Sequence, residues 1–215
     1  GNILITGGTG SWGKTLTKKL IQNKNIKKII ILSRNEHKQV EMKRMFSSEK
    51  LVFKIGDIRD KELLNNITRN IDIVFHLAAL KHVPICEENS WESVKTNIVG
   101  TYNVIQACIK NNVGTMVDVS TDKAVEPHNI YGITKACAEK LVTNSMHNYS
   151  TKTRFVCIRG GNVVGTNGSG IPLFLEQLKK KNLITITDPS MTRYLFRTKD
   201  AIDLIFKAID ISRGG

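Results

Sequence analysis

Tyr131 and Lys135 stand at i and i+4, a few residues after the string Ser120-Thr121-Asp122-Lys123. On a helix that spacing puts a phenol and an ammonium on one face. A neighbouring ammonium favours the phenolate, so Tyr131 is suited to act as a base towards a substrate hydroxyl, with Thr121 as a hydroxyl partner. Asp122-Lys123 adds an acid and an amine at the same strand end, a proton donor and a proton acceptor of the kind an elimination needs. The competing reading of that pair is a strand-end turn with a capping aspartate and an exposed lysine. Thr121, Asp122, Lys123, Tyr131 and Lys135 are the candidate catalytic set.

A second motif lies near the N-terminus. Gly7-Gly8-Thr9-Gly10-Ser11-Trp12-Gly13 follows an apolar strand and opens a helix. Glycines at such a joint permit a tight turn and close backbone approach, and the helix N-terminus faces a pyrophosphate. An ordinary strand–helix turn is the alternative. The expected cofactor contacts are Gly7, Thr9, Gly10, Ser11, Trp12 and Gly13. About 20 residues past the loop one looks for the ribose partner. There the second strand ends in Ser33-Arg34, with Lys38 one turn into the next helix. An acidic residue would bond a free 2′-hydroxyl; this Ser/Arg/Lys group suits a 2′-phosphate, so NADP is the expected cofactor, unless Arg34 and Lys38 are surface charges only. Asp57 and Ile58, ending the third strand, fall where they can cover the adenine, although Asp57 also suits a turn. Leu77 and Ala78, ending the fourth, complete the expected cofactor set together with Tyr131 and Lys135, the lysine being able to hold the nicotinamide ribose.

The elements that must position these residues alternate. Apolar, β-branched strands are predicted at 2–6, 28–32, 51–55, 72–77, 115–120 and 153–159, with helices over 12–22, 36–46, 61–67, 90–111 and 131–147. Near-continuous apolar strands are covered on both faces, the mark of a parallel sheet, and strand–helix alternation gives a doubly wound α/β Rossmann fold. After Arg159 the texture changes to the Gly/Asn-rich run 160–170, a helix near 172–181, a strand near 184–187 and a helix over 199–211. The expected organisation is a dinucleotide-binding domain over 1–160 and a partial substrate-binding region over 161–215, with the C-terminus reading as truncated. An upstream extension or anchor could precede the first strand.

Composition narrows the class. The chain has 215 residues, enough to bury a full core, and 40% are hydrophobic. No apolar run approaches the roughly 18–20 residues that span a bilayer, and no signal sequence is seen. Cys86, Cys108, Cys137 and Cys157 form no CxxC pair, which favours reduced thiols in a cytoplasmic protein. The five histidines lack metal-ligand spacing, so no metal is expected. The net charge of +13 is spread over helix faces, and only 6% of residues are aromatic, which argues against nucleic-acid binding. A positive field would steer an anionic nucleotide substrate inward.

Taken together, the strings Ile5-Thr6-Gly7-Gly8-Thr9-Gly10-Ser11, Gly56-Asp57-Ile58-Arg59-Asp60, Ala78-Ala79-Leu80-Lys81-His82-Val83-Pro84, Lys95-Thr96-Asn97, Ser120-Thr121-Asp122-Lys123-Ala124, Tyr131-Gly132-Ile133-Thr134-Lys135 and Met191-Thr192-Arg193 resemble an extended short-chain dehydrogenase/reductase. The resemblance is to the inverting UDP-N-acetylglucosamine 4,6-dehydratases of the polysaccharide-biosynthesis branch. It covers essentially the whole chain. Dehydratases acting on dTDP-glucose with retention carry Asp-Glu in place of Asp122-Lys123, and several related enzymes carry Met in place of Tyr131. Where the family has Arg-Tyr-Gly-Asn and Ser-Arg-Gly-Ser, this chain has Arg159-Gly160-Gly161-Asn162 and Thr166-Asn167-Gly168-Ser169, which touches the substrate contacts.

The resemblance implies an NADP-dependent lyase. Tyr131 would deprotonate the sugar 4-hydroxyl, oriented by Thr121. Lys123 would remove the C5 proton and Asp122 protonate the departing C6 hydroxyl. Lys81 would touch substrate or cofactor, and Asn162, Ser169 and Arg193 would hold the UDP part. It also implies a homo-oligomer. A UDP-hexose 4- or 5-epimerase, and a non-catalytic NADP-binding regulator, are the alternatives.

Overall fold

The computed structural model describes residues 1–164, 170–186, 188–192 and 194–214. Six strands form one parallel sheet: β1 (Asn2–Thr6), β2 (Lys28–Ser33), β3 (Leu51–Ile55), β4 (Ile73–His76), β5 (Thr115–Thr121) and β6 (Arg154–Gly160). Their spatial order is β3-β2-β1-β4-β5-β6. The chain reverses direction across the sheet between β1 and β4, which opens a crevice at the strands' carboxyl ends.

Side-chain alternation divides the core in two. Leu4, Ile30, Val74, Met116 and Phe155 face one side, beneath α3 (Lys61–Ile67), α6 (Thr101–Lys110) and α7 (Ile130–Thr143). Ile3, Ile5, Ile29, Ile31, Phe75 and Val117 face the other, where α1 (Ser11–Ile21), α2 (Glu36–Phe46) and α10 (Thr198–Ile211) supply Leu16, Leu20, Met42, Ile202 and Ile205. Two buried faces explain the unbroken apolar runs. At about 25 cal/mol per Å2 this burial is the largest favourable contribution to folding.

Between β4 and α6 lie the short helices α4 (Val83–Glu88) and α5 (Ser90–Ser93) and a π-helical stretch, Val94–Gly100. The single helix expected over 90–111 is therefore interrupted. Asn97, on the widened turn, commits its side-chain amide to residues outside the helix. Its Oδ1 accepts from Leu80 N at 2.8 Å, and its Nδ2 donates to Leu80 O at 2.9 Å and Thr134 Oγ1 at 3.0 Å. Such widened turns concentrate near functional sites.

The helix expected over 131–147 ends at Thr143 and resumes as α8 (Ser145–Asn148). Beyond β6, β7 (Asn162–Val163) pairs in parallel with β8 (Leu195–Phe196), a contact between distant segments that local pattern does not reveal. Helix α9 (Gly170–Lys181) lies between them, and no strand forms at 184–186, the described part of the strand expected there. Among the described residues no helix is long and apolar enough to cross a membrane.

Candidate active site

One crevice of about 750 Å3 runs across the carboxyl ends of the strands. Of the site residues expected from the sequence, all that are described line it except Asp122, which lies in an adjoining cleft that Lys123 shares. Ser169 and Arg193 lie outside the described residues.

At one end the glycine loop joins β1 to α1. Gly7 has φ +65, and a side chain there would strike the backbone of Leu77 and Ala78. At Gly13 a Cβ would sit 2.2 Å from Gly8 O, so the helix can lie against the loop only without one. No side chain caps α1 and its first turn holds no acid. The open N–H groups and positive helix end suit an anion. These features fit the pyrophosphate of a dinucleotide.

At the ribose end, Ser33 Oγ accepts from Gln39 Nε2 at 3.0 Å. Arg34 is half-exposed and comes no nearer than 3.8 Å to Asp57 Oδ2. Asp57 is held by Arg59 at 2.7 and 3.0 Å, and Arg59 in turn reaches Glu92 at 2.8 Å. Burial opposes ionisation of Asp57, yet the Arg59 hydrogen bonds and the Arg59 and Arg34 charges leave its pKa below the ordinary carboxylate value. Asp57 thus serves the turn as well as the crevice.

The other end holds the acid–base residues. Asn129 caps α7, its side chain accepting from Gly132 N at 2.8 Å, which fixes the turn that carries Tyr131. Thr121 lies beside Tyr131 in the crevice wall and acts to favour its phenolate. Thr121 Oγ1 donates to Asp122 Oδ1 at 3.0 Å. Lys123 Nζ donates to that carboxylate oxygen at 3.1 Å and to Asn162 Oδ1 at 3.4 Å. The Asn162 Nδ2 is buried with no partner, and so is Ser120 Oγ. Both residues line the crevice, where a ligand could satisfy them.

The ammonium of Lys135 favours the Tyr131 phenolate, as expected, but it does not prevail. Burial of the phenol outweighs Thr121 and the Lys135 charge, and Asp122 adds to it, so the Tyr131 pKa stands above its ordinary value. Lys81 moves the other way, lowered by burial and then by the charge of Lys123.

Behind Lys135 lies a buried polar row that sequence reasoning missed. Register aligns Thr6, His76, Asp118 and Cys157 across β1, β4, β5 and β6. His76 Nδ1 meets Thr6 Oγ1 at 2.7 Å and Nε2 meets Thr101 Oγ1 at 3.0 Å. Thr101 spends its hydroxyl proton on Asn97 O at 2.7 Å, which makes Nε2 the protonated ring nitrogen by hydrogen-bond assignment. Burial pushes the His76 pKa down to about 4, with the Lys135 charge acting in the same sense against Asp118. The one available signal was Asp118 itself, a lone carboxylate in a strand covered on both faces, which must find a partner.

The sequence matches the family described as polysaccharide biosynthesis protein over residues 3–215. The chain belongs to that family. It is 46% identical over 216 residues to a UDP-N-acetylglucosamine 4,6-dehydratase (inverting) of Campylobacter jejuni, covering 100% of this chain and 65% of the relative. It is 43% identical over 217 residues to a UDP-glucose 4-epimerase of Rickettsia bellii, covering 99% and 64%. Among solved structures it is similar to DesIV, a dTDP-glucose 4,6-dehydratase of Streptomyces venezuelae with NAD bound, at 25% identity and TM-score 0.84, covering 94% of this chain and 70% of that one. The chain therefore spans about two thirds of the length of its curated relatives. Family membership accounts for the crevice and the strand order; it leaves the substrate to the residues at the crevice's far end.

Proposed function

We propose that this family member carries the cofactor site and the acid–base set of a UDP-N-acetylglucosamine 4,6-dehydratase that uses NADP and inverts C5. The observation that carries this reading is the Asp122–Lys123 pair beside Thr121, Tyr131 and Lys135. Oxidation and reduction at C4 need a hydroxyl partner and a base, not a second acid and amine. The 46% identity to a relative of that name adds support. The crevice fits a dinucleotide, and Arg34 and Lys38 favour the 2′-phosphate form. Residues 1–160 bind the cofactor and 161–215 begin the nucleotide-sugar side, with Asn162, Ser169 and Arg193 on the UDP part. The working protein is a homo-oligomer of the cytoplasm, where its free thiols stay reduced.

The mechanism follows from these positions. NADP held in the crevice by the glycine loop, Arg34 and Lys38 would supply the hydride chemistry that the reaction needs. Tyr131 takes the proton of the 4-hydroxyl, with Thr121 beside it as the hydroxyl partner that orients the substrate. Lys135 would hold the ribose hydroxyls of the bound cofactor, and its charge favours the phenolate. The ketone at C4 acidifies C5. The Lys123 ammonium first passes a proton to the paired Asp122 carboxylate, and the resulting amine removes the C5 proton. Asp122, in its acid form, protonates the departing C6 hydroxyl, so water leaves. A proton returns to the opposite face of C5, which gives the inverted product.

A second reading, a UDP-hexose 4-epimerase, is favoured by the 43% identical relative of that name. Proton NMR in D2O separates the two, using the full-length protein, UDP-N-acetylglucosamine and trace NADP+. A new C6 methyl signal with deuterium at C5 and couplings of an L-configured ring is expected. A methyl product with retained C5 would overturn inversion alone. UDP-N-acetylgalactosamine without a methyl signal would overturn the dehydratase.

A further inference from the structure

Asp118 has no solvent exposure, and the rest of its strand offers only apolar and hydroxyl side chains. Its row, Thr6-His76-Asp118-Cys157, lies one pleat nearer the crevice than the apolar row Leu4-Val74-Met116-Phe155, on the sheet face beneath α7. Lys135 reaches down from α7 into this row. Its Nζ is 3.4 Å from both Asp118 oxygens, and the two side chains are 3% and 0% exposed. Two even, long contacts describe a point charge resting over the fork of a carboxylate rather than one short bond.

The neighbouring groups leave Asp118 as the counter-charge. His76 faces it from β4 but is committed through both ring nitrogens to Thr6 and Thr101. Cys157 faces it from β6, with Sγ 3.7 Å from Asp118 Oδ2. Tyr131 shares the helix face of Lys135 and is neutral until deprotonated. Glu139, one turn on, is held by Arg159 at 2.7 and 2.9 Å.

We infer that Asp118 is a positioning residue for Lys135, pinning the ammonium at the crevice wall where the Proposed function uses it, beside Tyr131 and the cofactor ribose. Removing a buried ammonium from water disfavours its charged form. Burial pulls the Lys135 pKa down, but Asp118 first, then Tyr131 and Cys157, carry it above the ordinary lysine value. The lysine therefore keeps its charge at neutral pH.

Asp118→Asn keeps the shape and removes the charge. The test reads Lys135 directly, from the 13Cε resonances of labelled lysines, with the Lys135 signal assigned by Lys135→Met. In the wild-type protein Lys135 is expected to titrate above the ordinary 10.5. In Asp118→Asn it is expected to titrate at distinctly lower pH, and NADP+ affinity to fall by about tenfold for each pH unit above that midpoint. Equal titration in the two proteins overturns the inference. Should Asp118→Asn fail to fold, the wild-type curve alone decides: a midpoint at or below 10.5 overturns it. Neither readout requires dehydratase turnover, so failure of the proposed reaction is seen separately.

Discussion

Asp122 and Lys123, adjacent at the end of β5, form a 3.1 Å ion pair whose carboxylate also accepts from Thr121 and whose ammonium also reaches Asn162. Acid, amine and hydroxyl are thus connected by hydrogen bonds beside the Tyr131 phenol. A residue used only for elimination should be separable from one used for cofactor binding. Lys123→Ala is expected to lower formation of the methyl product by roughly 100- to 10,000-fold. NADP+ affinity, read by fluorescence titration, should be unchanged. Loss of cofactor binding in this variant would sink the role assigned to Lys123.

Arg34 and Lys38 line the crevice, while Arg59 already satisfies Asp57. Their charges are therefore available to a 2′-phosphate. Replacing both with Ala should weaken NADP+ by about 10- to 100-fold, the equivalent of one charge-assisted hydrogen bond. NAD+ affinity should barely move. Equal weakening of the two cofactors would make these residues general anion attractors and remove the case for NADP.

Gly13 and Gly10 make a contrasting pair. A Cβ at Gly13 meets Gly8 O at 2.2 Å, backbone against backbone, whereas one at Gly10 meets only Gly7 O at 3.3 Å. Gly13→Ala should destabilise the fold by about 3–5 kcal/mol. Gly10→Ala should cost well under half of that in urea unfolding. Similar losses would mean that the loop can shift to relieve the clash.

What the sequence revealed, and what it hid, divides by range. The glycine loop and the Tyr131/Lys135 spacing are local patterns, and both fall in the one crevice. Strands β1, β2, β4 and β5 were legible because their runs are mostly apolar on two faces, and β3 and β6 because short apolar runs sit between helical segments. Asp118 was not, because its meaning depends on register: only pairing brings His76, Asp118 and Cys157 into one row. The role of Asn97 on the Val94–Gly100 stretch was hidden for a similar reason, since Asn97 answers to Leu80 and Thr134 on other elements. β7 and β8 were hidden because each is two residues long and pairs across about thirty residues of chain. The lowering of the Tyr131 pKa expected from Lys135 was reversed by burial, a quantity that spacing does not contain.

His76 should make stability depend on pH. In the folded protein its pKa is held at about 4, against 6.5 for the ordinary value. Between these limits the unfolded chain binds a proton that the folded chain does not, so stability rises with pH. The contribution is complete above pH 6.5 and is lost as pH falls towards 4. Its full size is about 3 kcal/mol. His76→Gln keeps a donor for Thr101 and removes the titration. Urea unfolding at neutral pH and again near the lower limit should show wild type losing about 2–3 kcal/mol more than the variant. Equal losses would mean that the ring is protonated within the fold. The Thr6–His76–Thr101 network would then need a different proton arrangement, because a protonated ring must donate from both nitrogens and Thr6 would become an acceptor only.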